Sequence, residues 1–109
     1  MNALTYFLQR ATALLLAPFV LVHLGLIIYA VRGGLSAGEI LARTRGSAGW
    51  AVFYGLFVVL VAIHAAIGLR TIADEWTPLT GRRLDLVSAV AGVGLLWLGL
   101  RAVIAVTAV

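Results

Sequence analysis

Two histidines, His23 and His64, are the residues of this sequence best suited to chemistry. Each lies within a different long apolar stretch. An imidazole in hydrocarbon costs free energy unless it has a partner, and titratable residues inside membrane spans are usually functional. The chain has no cysteine and only four acidic residues, so the metal that best suits two such rings is haem iron. We therefore predict that both histidines are axial ligands of haem iron.

Three apolar stretches must position these rings. They cover about residues 11–31, 48–72 and 86–108. Each is close to the roughly 20 residues that a helix needs to cross the ~30 Å hydrocarbon core, and helices satisfy their backbone groups internally. We predict an all-α integral membrane protein with three transmembrane helices. These would form a single domain over residues 1–109, as part of a multi-subunit helical bundle.

Composition supports a membrane protein and excludes several other classes. Apolar residues make up 63% of the chain, above the roughly half that is typical of soluble domains. The net charge of +4 comes from arginines scattered at span ends, which is typical of anchors and topology signals rather than of a nucleic-acid-binding tail. The absence of cysteine excludes disulfides and iron–sulfur ligation by this chain.

The distribution of arginines also predicts an orientation. Arg32, Arg43 and Arg45 lie in the first loop, whereas Arg10, Arg70, Arg82 and Arg83 lie on the opposite side. The positive-inside rule favours a cytoplasmic N-terminus. We interpret the N-terminal segment as a retained first helix rather than a cleaved signal peptide, because no small-residue cleavage site stands out.

The two histidines are expected at different depths. With a cytoplasmic N-terminus, His23 lies nearer the outer face, and His64 lies about 9 Å of helix axis before Arg70, nearer the cytoplasm. Two haems therefore fit better than one shared metal, with a second subunit or a second copy supplying the other axial ligands. Gly25 and Gly68 near the histidines favour a flat cofactor, although small residues also serve helix packing.

Charged residues after His64 and in the third span add candidates. Arg70 and Asp74 are four residues apart and can pair on one helix face. Arg70 is also near enough to the expected haem edge to meet a propionate. Arg101 is expected at the depth of a second haem propionate. The alternative for both arginines is that they extend to the headgroups.

The pattern His64-x-x-x-Gly68-x-Arg70, followed by acids and an aromatic residue, resembles the second helix of the membrane anchors of succinate:quinone oxidoreductases. The segment Gln9-Arg10-Ala11-Thr12-Ala13 resembles the start of their first helix. The three-span plan and the length also agree, so the likeness covers most of the chain. The sequence is most similar to the smaller of two cytochrome b anchor subunits.

This resemblance implies roles for individual residues. His64 corresponds to a haem b ligand, and Arg10 corresponds to an arginine of the quinone pocket beside the iron–sulfur subunit. Tyr6 falls where some members have a pocket serine. Two-haem anchors have one histidine on each of the first two helices, which implies that His64 binds the proximal haem and His23 the distal one.

The end of the second span differs from the corresponding segment of these anchor subunits. Glu75 and Trp76 fall where a common version of the smaller anchor has an aspartate–tyrosine pair, whose tyrosine donates to the quinone. Tryptophan has no hydroxyl, although its indole N–H can donate to a carbonyl oxygen. Asp74 is the alternative acid. The alternative is that Asp74 and Glu75 have no role toward quinone and only cap the end of the helix in water.

The resemblance also implies cofactors and partners. It implies one or two haems b shared with a second anchor subunit, quinone as substrate, and FAD and iron–sulfur clusters in the flavoprotein and iron–sulfur subunits. Within such a succinate dehydrogenase complex, positive charge would stabilise the developing quinol oxygens. The location would be the cytoplasmic membrane of a bacterium or archaeon. Two alternatives stay open: a haem-free anchor, and a small non-redox membrane protein of the holin-like or transport-accessory kind.

Overall fold

The computed structural model describes residues 2–108, which form four α-helices: α1 (Ala3–Arg32), α2 (Ala37–Thr44), α3 (Ala48–Trp76) and α4 (Gly81–Thr107). Helices α1, α3 and α4 are long and apolar enough to cross a membrane. No β-strand occurs between residues 2 and 108. The predicted all-α fold with three spans is therefore confirmed. The first and last residues of the predicted domain, Met1 and Val109, lie outside the described residues.

The helices are longer than the apolar stretches in the sequence. Hydropathy identifies only the part of a helix that is suited to lipid, whereas backbone hydrogen bonds and caps determine where the helix begins and ends. Helix α1 begins at Ala3, since the side chain of Asn2 accepts a 2.8 Å hydrogen bond from the Thr5 amide. Such a cap satisfies one of the free amides in the first turn. Helix α4 begins at Gly81, whose φ of 60° suits glycine.

Between the first two spans, the sequence of residues 39–42 predicts only a brief interfacial turn. The structure has the longer helix α2 there. Its start is a capping box, in which the Ser36 hydroxyl accepts from the Glu39 amide and the Glu39 carboxylate accepts from the Ser36 amide. This reciprocal pair satisfies two amides at once and makes an eight-residue helix stable here.

The end of α2 contacts the end of α4. The Thr44 hydroxyl donates to the Val106 carbonyl at 2.6 Å, and the Gly46 amide donates to the Thr107 carbonyl at 2.8 Å. The last carbonyls of a helix have no partner within that helix. The α2 segment therefore supplies the donors that close the C-terminal end of α4.

Helix α3 is central, and α1 and α4 both pack against it. Phe19 of α1 stacks on Phe53 of α3 with ring centroids 5.0 Å apart. On the other side, a methyl group at Gly99 of α4 would overlap the Val58 side chain, so glycine permits the close approach. We call the side with the start of α1 and the end of α3 the N-terminal face, and the side with α2 the distal face.

Few side chains are buried by the chain itself. The buried apolar residues among 2–108 are Leu16, Ala62, Leu84 and Val103. Large apolar residues along the spans are exposed, with Leu14 at 76% for example. An apolar surface of this extent needs lipid or other subunits to cover it, as expected for one component of a membrane bundle.

Candidate functional site

His64 lies at the packed contact between α1 and α3. Its Nδ1 atom is 3.3 Å from the hydroxyl oxygen of Thr12, which is buried at 4% exposure. The Thr12 hydroxyl also lies 2.7 Å from the Leu8 carbonyl of its own helix. Because α1 and α3 run in opposite directions, the third turn of α1 meets the second half of α3. The ring is therefore held against α1 by a polar contact.

A pocket of about 810 Å³ runs along α1 beside this ring. It brings together three residues that the sequence predicts for function: His64, Tyr6 and Arg10. The Arg10 guanidinium lies over the Tyr6 ring, 5.4 Å from its centroid, as in a cation–π contact. The remaining lining is mostly apolar and includes several alanines: Phe7, Gln9, Ala11, Ala13, Leu14 and Ala17. A planar apolar molecule with a few polar groups would suit these walls.

Gln9 is the unexpected member of this pocket. Its side-chain oxygen is buried and has no hydrogen-bond partner within residues 2–108. Buried polar atoms normally have partners, so this oxygen points to a group outside the described chain. A Cβ atom on Gly68 would lie 3.4 Å from the Gln9 amide nitrogen. Gly68 of α3 therefore faces the Gln9 side chain of α1, and its role beside a flat cofactor stays a prediction.

His23 occupies a second, separate location. Its ring meets Phe57 and Tyr54 edge-on, with centroids 5.4 and 5.9 Å away. Its Nδ1 atom is buried without a partner in the described part of the chain. The neighbouring pocket of about 430 Å³ is lined by all three long helices, including Gly99. Gly25 faces open space.

The two histidines are well separated along the membrane normal. His64 contacts α1 at Thr12, whereas His23 lies eleven residues further along α1, which is roughly 16 Å of helix axis. The depths follow the predicted order, with His64 nearer the N-terminal face. Among residues 2–108, no group of three or more histidine, cysteine or acidic side chains gathers as a metal site. One metal ion shared by both histidines does not fit this separation.

Arg70 pairs with a residue that the sequence analysis did not select. Its Nε atom donates to Asp85 of α4 at 2.8 Å, in the single ion pair of the described chain. The pair with Asp74, which the sequence allows, does not form within the described residues. The reason is tertiary: the short connection between α3 and α4 brings the start of α4 beside Arg70, while Asp74 stays exposed.

The remaining predicted residues lie outside both pockets. Asp74, Glu75 and Trp76 are exposed at the end of α3, and Trp76 is 81% exposed. Arg101 is also exposed and lies over the Trp97 ring, 5.5 Å from its centroid. Any role of these four residues toward quinone or haem stays a prediction.

Some residues of the two histidine sites, and the partner of Arg70, carry no assigned role in the sequence analysis. They are Gln9, Thr12, Tyr54, Phe57 and Asp85. One signal was available for Thr12. It is a polar residue in an apolar stretch, at a depth that antiparallel helices bring near His64. No comparable signal marks Tyr54 and Phe57, since aromatic residues are common in spans.

One comparison with known proteins identifies the family of this chain. No curated protein sequence and no solved structure matches the chain. A family model described as "Succinate dehydrogenase/Fumarate reductase transmembrane subunit" matches residues 1–108, nearly the whole sequence. The chain therefore belongs to the family of succinate dehydrogenase/fumarate reductase transmembrane subunits.

Proposed function

We propose that this chain is the haem b-binding membrane anchor of a succinate dehydrogenase complex and passes electrons from the iron–sulfur subunit to quinone. The observation that carries the proposal is that His64, Tyr6 and Arg10 line one pocket. An imidazole can ligate haem iron, and a phenol and a guanidinium can donate hydrogen bonds to a propionate or a quinone oxygen. The family membership supplies the setting, a membrane subunit of this complex.

The residues around His64 fit a haem. His64 would hold the iron from α3, and a second anchor subunit would supply a further ligand. Ala13 and Ala17 leave room on α1 for a flat ring, and the unpartnered Gln9 oxygen is a polar atom available to a group from outside the chain. When bound, haem b would supply a one-electron redox centre buried in the membrane.

His23 is proposed as the ligand of a second, distal haem. Support comes from its separate depth and from its buried Nδ1 atom, which needs a partner outside residues 2–108. That partner would be iron or a hydrogen-bonding group of the second anchor. Arg101 on α4 is proposed to meet a propionate of this haem.

Quinone is proposed to bind at the N-terminal face. Arg10 and Tyr6 would donate to its oxygens there, and the positive charge of Arg10 would favour the reduced form. Arg70, Asp74, Glu75 and Trp76 lie at the same face and are proposed to complete this environment. The soluble flavoprotein and iron–sulfur subunits, with FAD and the clusters, would dock on this side, in the cytoplasm of a bacterium or archaeon.

The decisive experiment is a reduced-minus-oxidised absorption spectrum of the purified complex, together with its haem-to-flavin ratio. We expect b-type bands, and we expect His64→Leu to remove one haem while flavin content is unchanged. The matched control is Leu56→Ala, at an exposed position of α3, which should keep every haem. A His64→Leu complex that retains all of its haem contradicts the assignment of His64.

A second candidate is a haem-free anchor of the same complex. The contact between His64 and Thr12 favours it, because a histidine can simply join two helices through a hydrogen bond. This candidate predicts a complex with flavin and clusters but no b-type bands. The family match argues against the alternative of a small non-redox membrane protein, since the matched family is a succinate dehydrogenase/fumarate reductase subunit.

A further inference from the structure

The contacts of the Thr12 hydroxyl indicate which nitrogen of His64 carries a proton. The Thr12 hydroxyl oxygen lies 2.7 Å from the Leu8 carbonyl, 3.2 Å from the Gln9 carbonyl and 3.3 Å from His64 Nδ1. Carbonyl oxygens only accept, and a hydroxyl has one hydrogen to give. The shortest of these contacts takes that hydrogen, so Thr12 donates to Leu8.

The hydroxyl oxygen then meets His64 as an acceptor. A hydrogen bond between these two atoms requires Nδ1 to bear the hydrogen. A neutral imidazole has one N–H and one bare nitrogen, so Nε2 keeps a lone pair. This is the tautomer that can coordinate a metal through Nε2 while donating from Nδ1.

We propose that Thr12 is a positioning residue for His64, whose hydroxyl accepts the Nδ1 hydrogen and presents Nε2 to haem iron. This inference rests on the proposed function, because it assumes that His64 is an iron ligand. Residues that hold the second nitrogen of a ligating histidine fix the ring orientation and increase the basicity of the ligand. Thr12 belongs to α1, so it also couples the iron ligand on α3 to the helix that carries Arg10.

Threonine suits this role better than other small residues. In a helix its hydroxyl can bond the carbonyl four residues earlier, as Thr12 does with Leu8. That bond fixes the direction of the oxygen before any ligand arrives. Valine has the same shape without the hydroxyl, and serine keeps the hydroxyl without the methyl group.

The test compares Thr12→Val and Thr12→Ser in the intact complex by the midpoint potential of the haem and its retention after dilution. We expect Thr12→Val to raise the potential, because a less basic ligand stabilises ferric iron less, and to weaken haem retention about 10-fold or more. We expect Thr12→Ser to restore both values. The control Thr71→Val removes a hydroxyl that bonds only within its own helix and should change neither.

Three results would overturn the proposal: a Thr12→Val complex with the wild-type potential and retention, a serine variant as altered as the valine variant, or a wild-type complex without haem. If Thr12→Val does not assemble, Thr12→Ala replaces it and must differ from Thr12→Ser in the same way. His64→Leu separates the two levels of inference. Loss of haem in His64→Leu with no effect of Thr12→Val refutes the positioning role alone, whereas retained haem in His64→Leu refutes the function of His64.

Discussion

Arg70 of α3 and Asp85 of α4 form an ion pair of 2.8 Å between Nε and Oδ1 at the N-terminal face. Within residues 2–108, this is the only hydrogen bond that the guanidinium makes. A guanidinium has five N–H donors. Arg70 is therefore fixed by α4 on one edge and keeps donors for another group, such as a propionate or a quinone oxygen.

Two substitutions distinguish the role of Arg70 in the ion pair from its proposed role in quinone reduction. We expect Asp85→Asn to lower the free energy of unfolding by less than about 1 kcal/mol, because both side chains are well exposed. We expect Arg70→Gln to reduce quinone reduction much more than Asp85→Asn does. Denaturation of the purified complex and steady-state turnover with quinone measure the two effects. Equal losses of turnover in both variants would mean that Arg70 acts only through Asp85.

Replacement of His23 tests the distal haem. His23→Phe keeps an aromatic ring against Phe57 and Tyr54, so the α1–α3 contact should survive. We expect the haem-to-flavin ratio to fall by one, while the haem at His64 keeps its spectrum. An unchanged ratio would leave His23 with a packing role alone.

Arg10 is predicted to act on quinone and not on the dicarboxylate. Removal of a cation that stabilises developing charge costs on the order of 10²-fold in rate, so we expect Arg10→Ala to lower quinone turnover by that order. Succinate oxidation with an artificial dye should be unchanged, because it bypasses the membrane site. Arg82→Ala is the matched control, since Arg82 lies outside the His64 pocket. A parallel loss of dye reduction in Arg10→Ala would instead indicate poor assembly.

The α3–α4 contact depends more on Gly99 than on Gly94 of the same helix. A methyl group at Gly99 would overlap Val58, whereas one at Gly94 would meet no atom within 4 Å. We expect Gly99→Ala to destabilise the protein by about 1–3 kcal/mol, as overpacking does. Gly94→Ala should be neutral or slightly stabilising. Unfolding in detergent with increasing denaturant measures both, and similar stabilities would refute the close approach.

The membrane spans and the depths of the two histidines could be predicted from the sequence, because each depends on a single segment of the chain. Apolar length specifies a membrane helix, and the rise per residue converts a position such as His23 or His64 into a depth. The partner of Arg70 could not be found in this way, since the i,i+4 rule considers only one helix and Asp85 lies on another. Helix α2 was predicted only as a brief turn, because the capping box of Ser36 and Glu39 was not recognised.

The sequence by itself therefore determined the number of spans, the order of the histidines through the bilayer and the family. Only the tertiary structure decided which sides of the helices meet: Thr12 with His64, Arg70 with Asp85, and Gly99 with Val58. The physical reason is that a helix in lipid is apolar around most of its circumference. No polar stripe then marks the side that faces another helix, and packing of side chains selects it instead.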